Sequence, residues 1–287
     1  MRASAKEALR HYDIQVDSFT LIPSSYPVFR VEARASDRSA GGRYVLKLAS
    51  GMHEEVDRPD GAAPAFHPPG TDALLQMRWL EALSRDTDLP LQTPVRNTAG
   101  ELFTAVAIDG REDGTEATLC RWLPGRVLAR GYRTKPWPSA ATIRKIGRTA
   151  ARLHAHAESW ELPRGYNRPT AGRQETLSEA FTAIAQSPHV RGVPARDILI
   201  VEQAVGGVHE VMHALGVQRE HFGIIHEDLC PGNLLAHEGT VSPIDFANAV
   251  FGYYLWDVGH TFDLGRAPDV LYSPGLTLFG MVYVYLP

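Results

Sequence analysis

The 287-residue chain holds only two cysteines, Cys120 and Cys230, far apart and outside any CxxC spacing. That excludes a disulfide-stapled scaffold and a cysteine-rich zinc site, and it fits a reducing compartment. Positive charge is not in surplus either: 29 Lys and Arg stand against 33 Asp and Glu, leaving a net charge of −4. A chain without a basic stripe has little with which to displace counterions from a phosphate backbone, so no nucleic acid partner is expected. The longest apolar run, Leu276 to Leu286, is too short for a bilayer and is broken by Thr277 and Gly280. The N-terminal stretch MRASAKEALRHYDI lacks an apolar core, so no signal peptide is expected. The reading is therefore a cytoplasmic protein with no membrane partner. Internal repeats, low-complexity tracts and a G-x-G-x-x-G phosphate loop are also missing.

What remains is an ordinary globular composition, in a chain long enough to bury its own core. Phe19–Ile22, Val28–Ala33 and Tyr44–Leu48 are short β-rich runs. The last two flank a polar hairpin loop, Ser36 to Gly42. Ser50 to Gly70 is rich in Pro, Gly and His without any period, and reads as a long loop. Leu74, Leu75, Trp79, Leu80 and Leu83 recur at helical spacing, so residues 72–85 are expected to form an amphipathic helix. Two more strands are expected at Leu102–Ile108 and Ala117–Trp122.

Beyond Pro124-Gly125 the pattern turns helical. Ile143, Ile146, Ala150, Leu153 and Ala157 mark one helix, and residues 197–215 a second. The Pro-, Gly- and Arg-rich run from Leu162 to Arg173 separates them. The expected fold class is α+β: a β-rich lobe over residues 1–121 and a mainly helical lobe over 122–287.

The chemistry concentrates at 224–246. Ile225-His226-Glu227-Asp228-Leu229-Cys230-Pro231-Gly232-Asn233 carries H-x-D-L-x-x-x-N, and Asp245-Phe246 follows twelve residues after Asn233. Far upstream, Tyr44-Val45-Leu46-Lys47 ends a β-run in lysine. Phosphoryl transfer is largely positioning plus neutralisation of triphosphate charge, and these residue types supply both. Asp228 would orient or accept the proton of an attacking hydroxyl. Asn233 and Asp245 would offer hard oxygen ligands to Mg2+. Lys47 would hold phosphates as a compact point charge.

HEDLCPGN resembles the HGDLHPGN of the aminoglycoside phosphotransferase/choline kinase-like family of small-molecule kinases. Arg85-Asp86-Thr87-Asp88-Leu89-Pro90, Arg121-Trp122-Leu123-Pro124-Gly125, Leu153-His154 and Trp256-Asp257-Val258 extend the likeness from about Asp17 to about Asp263. The resemblance implies a bilobal protein-kinase-like fold: an N-terminal antiparallel β lobe with one helix, and a helical lobe holding the catalytic loop. It implies ATP and Mg2+ as cofactors, with adenine hydrogen-bonded to backbone near Cys120–Trp122 and the Ser24-Ser25-Tyr26 turn over the phosphates. It makes Asp228 the base and His226 the residue that orients its loop, and it gives Asp257 the task of bracing that loop. The partner is a small-molecule hydroxyl acceptor. An aminoglycoside-like antibiotic would want carboxylates such as Glu227, Asp263 or Asp269; choline would want an aromatic cage from Tyr253, Tyr254 or Trp256; homoserine is a further candidate.

Four positions depart from the family pattern. Gln76 stands where a Glu would pair Lys47, with Asp72 and Glu81 as other candidates for that partner. Glu227 and Cys230 replace the Gly and the second His of HGDLHPGN. Asn248 stands where many relatives carry a second acid after the metal Asp. Only 42 residues follow Asp245, and the apolar tail offers a face for a homodimer. A nucleotide-binding pseudokinase is the alternative these departures suggest. A second motif, His209-Glu210-Val211-Met212-His213, is a literal H-E-x-x-H on an expected helix, with Glu238 as a distant third ligand. It carries the competing reading of a zinc hydrolase. His154-Ala155-His156 is another metal-like pair, read as packing or capping.

Overall fold

The computed structural model describes residues 1–24, 27–35, 41–50, 73–108, 111–128, 139–162 and 194–261. The loop expected over 50–70, the run after Leu162 and the apolar C-terminal tail lie mainly or wholly outside these residues.

Five antiparallel strands form the first lobe in the order β1-β2-β3-β5-β4. They are β1 (Gln15–Ile22), β2 (Val28–Arg34), β3 (Gly42–Ser50), β4 (Thr104–Ile108) and β5 (Arg111–Arg121). Period-2 alternation decides what each face of this sheet does. On β3, Tyr44, Leu46 and Leu48 are buried on one face; on β5, Ala117 and Leu119 join them. Helix α1 (Arg2–Leu9) covers that face with Ala5, Ala8 and Leu9. The opposite face presents Val45 and Cys120 to a different core, and the same alternation puts Lys47 on it.

Helix α2 (Ala73–Asp86) follows at the expected place. Its apolar stripe of Met77, Trp79, Leu80 and Leu83 packs with Ile146 and Leu153 of α3 (Ala140–Ser159) and with Phe246. Burying Leu80 or Leu83 fully contributes about 1.5–3 kcal/mol each before entropy is counted. Thus α2, which belongs to the first lobe by sequence, shares its core with the second. Helix α3 starts where the Ser139 side chain accepts from the Thr142 N–H, an N-cap of the usual kind. Its Thr149 hydroxyl donates to the Val241 carbonyl at 3.0 Å, tying it to the catalytic half.

The second lobe adds β6 (Arg126–Val127), α4 (Ala195–Leu215), β7 (Phe222–Ile225), β8 (Leu234–His237), β9 (Thr240–Pro243), β10 (Val250–Tyr253) and α5 (Tyr254–Thr261). β7 pairs with β10, and β6, β8 and β9 form a three-stranded sheet. The short strands frame single 3-10 turns at Pro231–Asn233 and Phe246–Asn248. Two features exceed the sequence expectation: the first lobe has a second helix, α1, and the second lobe carries four-residue strands around its loops.

The crossing from β5 into β6 runs through Gly125 at φ +146. A Cβ there would lie 3.0 Å from the Leu235 Cβ and 3.1 Å from the Ala236 carbonyl. Gly125→Ala is therefore expected to destabilise the chain by about 1–3 kcal/mol, through the strained φ and the displaced β8 together. A thermal melt of the variant, which should come down by several degrees, checks this.

Candidate active site

Lys47 reaches across from β3 to Asp245: its Nζ donates to Asp245 Oδ1 at 2.6 Å. Asp245 is held in the left-handed region at φ +63, a conformation that non-glycine residues adopt mainly where a site requires it. Burial pushes its carboxyl pKa up, but the Lys47 charge and hydrogen bond, with help from His226 and the Ala247 N–H, hold it below the usual value. Asp245 is thus a carboxylate at neutral pH.

Asn233 lies at the end of the 3-10 turn. Its side-chain amide donates to Asp228 Oδ2 at 2.7 Å and to the Asp228 carbonyl at 3.0 Å. Both donors of the amide face Asp228, which turns Asn233 Oδ1 away as an acceptor. The Ile244 N–H donates to the Asn233 carbonyl at 2.9 Å, so the strand leading to Asp245 is clasped to the loop carrying Asn233. One amide oxygen and one carboxylate on clasped segments are hard oxygen donors of the kind that would suit Mg2+.

His226 is fully buried beneath this loop. The Asp228 N–H donates to His226 Nδ1 at 3.3 Å, so the ring proton sits on Nε2, which donates to the Ile244 carbonyl at 3.0 Å. Below the loop, Asp257 of α5 is completely buried. It accepts from the His226 N–H (3.0 Å), the Glu227 N–H (2.7 Å) and His154 Nε2 (2.8 Å). Two of these clamps hold the successive amides that lead into Glu227, which sits at φ +67. The left-handed backbone suits the Gly that the resembling pattern has at this point, and Glu227 is held in it by Asp257 on its own N–H and by His226 Nδ1 on the N–H that follows.

Cys230 packs beside the base. Burial, and then the neighbouring Asp228, push its thiol up to about 11, so it is a neutral, unreactive group at physiological pH. Cys120 is buried against Met77 with its sulfurs 3.8 Å apart, so only its backbone can face a nucleotide. In that segment the Arg121 N–H donates to the Thr93 carbonyl and the Trp122 N–H to the Arg43 carbonyl. The Leu123 N–H, one residue further on, pairs with no described residue. Ser24 ends the described part of the β1–β2 turn, and Ser25 and Tyr26 lie outside the described residues.

Several other expectations resolve. Glu81 is engaged bidentately by Arg96 at 2.7 and 2.9 Å, so it is not the partner of Lys47. Gln76 is buried on α2, Asp72 lies outside the described residues, and among the described residues Asp245 is a carboxylate bonded to Lys47. Tyr254 is no cage residue: its hydroxyl donates to the Arg219 carbonyl and its ring stacks on His154 at 4.7 Å. The Tyr253 hydroxyl donates to the Met212 carbonyl. In the H-E-x-x-H of α4, Glu210 and His213 are exposed, while Glu238 sits in the β8–β9 turn. Among the described residues no group of three metal-ligating side chains forms. The zinc reading therefore finds no support there. Asp263, Asp269 and the apolar tail lie outside the described residues. No helix among the described residues is long and apolar enough to cross a membrane.

Lys47 on the five-stranded sheet, bonded to Asp245 beside the loop of Asp228 and Asn233, is the arrangement of a protein-kinase-like fold. The chain belongs to the phosphotransferase enzyme family, whose sequence profile matches residues 25–277. Among solved structures it is similar to a microcompartment-associated aminopropanol kinase, with 21% identity and a TM-score of 0.68 over 100% of this chain and 82% of that one. It is similar to an amicoumacin kinase in complex with AMP-PNP, Ca2+ and Ami, with 18% identity and a TM-score of 0.68 over 99% and 77%. A macrolide 2′-phosphotransferase from Brachybacterium faecium, as apoenzyme, gives 16% identity and a TM-score of 0.56 over 99% and 83%. A search of curated protein sequences returned no match.

Proposed function

We propose that this phosphotransferase moves the γ-phosphoryl group of ATP, as its magnesium complex, to a hydroxyl of a small molecule. The observation that carries the reading is the continuous clasp Lys47–Asp245–Ile244–Asn233–Asp228, which joins the lysine to the proposed base through hydrogen bonds of 2.6–2.9 Å. When bound, Mg2+ supplies charge neutralisation across the phosphates. Asn233 Oδ1 and the Asp245 carboxylate are the groups of this chain that would hold it. Lys47 neutralises phosphate oxygens, His226 keeps the base loop seated on the Ile244 carbonyl, and Asp228 takes up the proton of the acceptor hydroxyl. The Leu123 N–H and the neighbouring carbonyls receive the adenine edge.

The acceptor belongs to the small hydroxyl compounds: an amino alcohol, choline, homoserine or an aminoglycoside-like antibiotic. Among similar folds, one acts on aminopropanol and another is bound to amicoumacin-related ligand, which favours starting a screen with amine-bearing alcohols. The test combines binding and turnover. Mg·ATP at 100 times its Kd should stabilise the fold by about 2.7 kcal/mol in a thermal melt. ADP release should then rise on addition of one acceptor class. Mg·ATP binding without ADP release on any hydroxyl compound would point to the pseudokinase reading. No Mg·ATP binding at millimolar concentration would sink both.

A further inference from the structure

Helix α3 carries two histidines near its C-terminal end, and the site described above uses one of them. His154 reaches Asp257. His156 reaches a different element: its Nε2 lies 3.2 Å from Asp86 Oδ2, at the end of α2. Beside this contact, Arg152 of α3 is ion-paired with Asp88, two residues beyond α2. The same helix α2 sets Trp79 edge-on against Phe246, the residue directly after Asp245. One helix therefore touches both the metal-side strand end and the C-terminal turns of α3.

The chemistry of His156 is unusual for a surface-near histidine. The residue is 8% exposed, and its Nδ1 is buried with no hydrogen-bond partner among the described residues. With Nε2 facing a carboxylate, the neutral ring keeps its proton on Nε2 and a bare lone pair on Nδ1. Protonation would add a buried N–H with no described acceptor, which is costly. The charged groups around the ring are few. Asp86 favours the protonated ring and Arg85 opposes it. Arg152 is held by Asp88, and Glu161 lines the adjoining open groove of about 540 Å3 together with Asp86, Arg152, His156 and Trp160. Burial outweighs the pull of Asp86, so the ring titrates below its ordinary value.

We propose that His156 and Asp86 form a proton-gated joint between α2 and α3: the neutral ring holds the joint, and protonation drives the ring toward the groove and loosens α2 over the cleft. Because the ring binds its proton less readily in the folded state, the stability contributed by the joint is complete above about pH 6.5 and is lost as the pH falls below that value. His156 is a positioning residue here, acting through α2, and the nucleotide half of the inference rests on the function proposed above.

The test uses the full chain and His156→Gln, whose side-chain amide can still donate to Asp86 but cannot titrate. Urea midpoints and the Kd for Mg·ATP are measured from pH 7.5 to 5.5. The wild-type midpoint should fall relative to the variant as the pH drops, and its Kd should weaken about threefold more. Titration of ATP itself and of all other groups is common to both proteins and cancels. A second variant, Asp86→Asn, removes the charge that favours protonation and should deepen the wild-type loss. Parallel profiles for wild type and His156→Gln overturn the joint. If neither protein binds Mg·ATP at pH 7.5, the function proposed above fails, while the urea profiles alone still decide whether the joint exists.

Discussion

Asp228→Asn is expected to reduce turnover by about 10³-fold, in the middle of the range that a general base contributes, while Mg·ATP affinity stays within about twofold. The split follows from geometry. The Asn233 amide donates to Asp228 Oδ2 at 2.7 Å, and an asparagine oxygen in that place accepts the same bond, so the loop keeps its shape. What disappears is the basic oxygen for the acceptor hydroxyl. Isothermal titration with Mg·ATP beside steady-state ADP release reads the two quantities separately. Simultaneous loss of both would mean that Asp228 supports the nucleotide site rather than the proton transfer.

Asp257→Ala should act on the fold and the chemistry together. The carboxylate is completely buried and is the acceptor for three donors, two of them backbone amides of the base loop. Removing one partner of a buried, charge-assisted network typically costs about 3–5 kcal/mol, which in a chain of this size is a drop of roughly 6–20 °C in Tm. Glu227 would also lose the clamp that holds its left-handed backbone, so residual folded protein should turn over poorly. There is a matching acid signature. Burial pushes the Asp257 carboxyl up, but the His154 hydrogen bond and charge, then His226, more than offset this and leave it below the usual range. Its stabilising effect is therefore present above about pH 4 and is lost as the pH falls through the lowered folded value. Asp257→Asn should flatten the acid limb of the wild-type stability curve, as followed by circular dichroism at fixed temperature. An acid limb that does not change would remove Asp257 from that account.

The candidate site segment was legible because its residues lie close in sequence and each type has a chemical reason. HEDLCPGN and IDF are local patterns, and Lys47 lies at the end of a β-run whose alternation already sends it to the face opposite Leu46 and Leu48. The strands of the first lobe and helices α2, α3 and α4 followed from period and composition. Helix α1 did not, because its buried face is made of Ser4, Ala5, Ala8 and Leu9, small side chains with little apolar contrast. The four-residue strands β7 to β10 are too short for alternation to stand out. Long-range polar pairs were also out of reach. His156 and Asp86 are 70 residues apart, and nothing local to either reports the other. A carboxylate for Lys47 was expected on or near α2, where Gln76 stands; among the described residues Lys47 bonds Asp245, which lies 198 residues away along the chain.

The packing of α2 bears on how this molecule comes apart. Met77, Trp79, Leu80 and Leu83 lie in one continuous apolar cluster with Ile146, Leu153, Ile224 and Phe246. A chain divided after Arg121 would leave each fragment with half of that cluster open to water. The two lobes are thus not separable folding units despite their different secondary structure. Heat or denaturant should melt the cluster in a single cooperative event, and nucleotide held between the lobes would be felt along the whole transition.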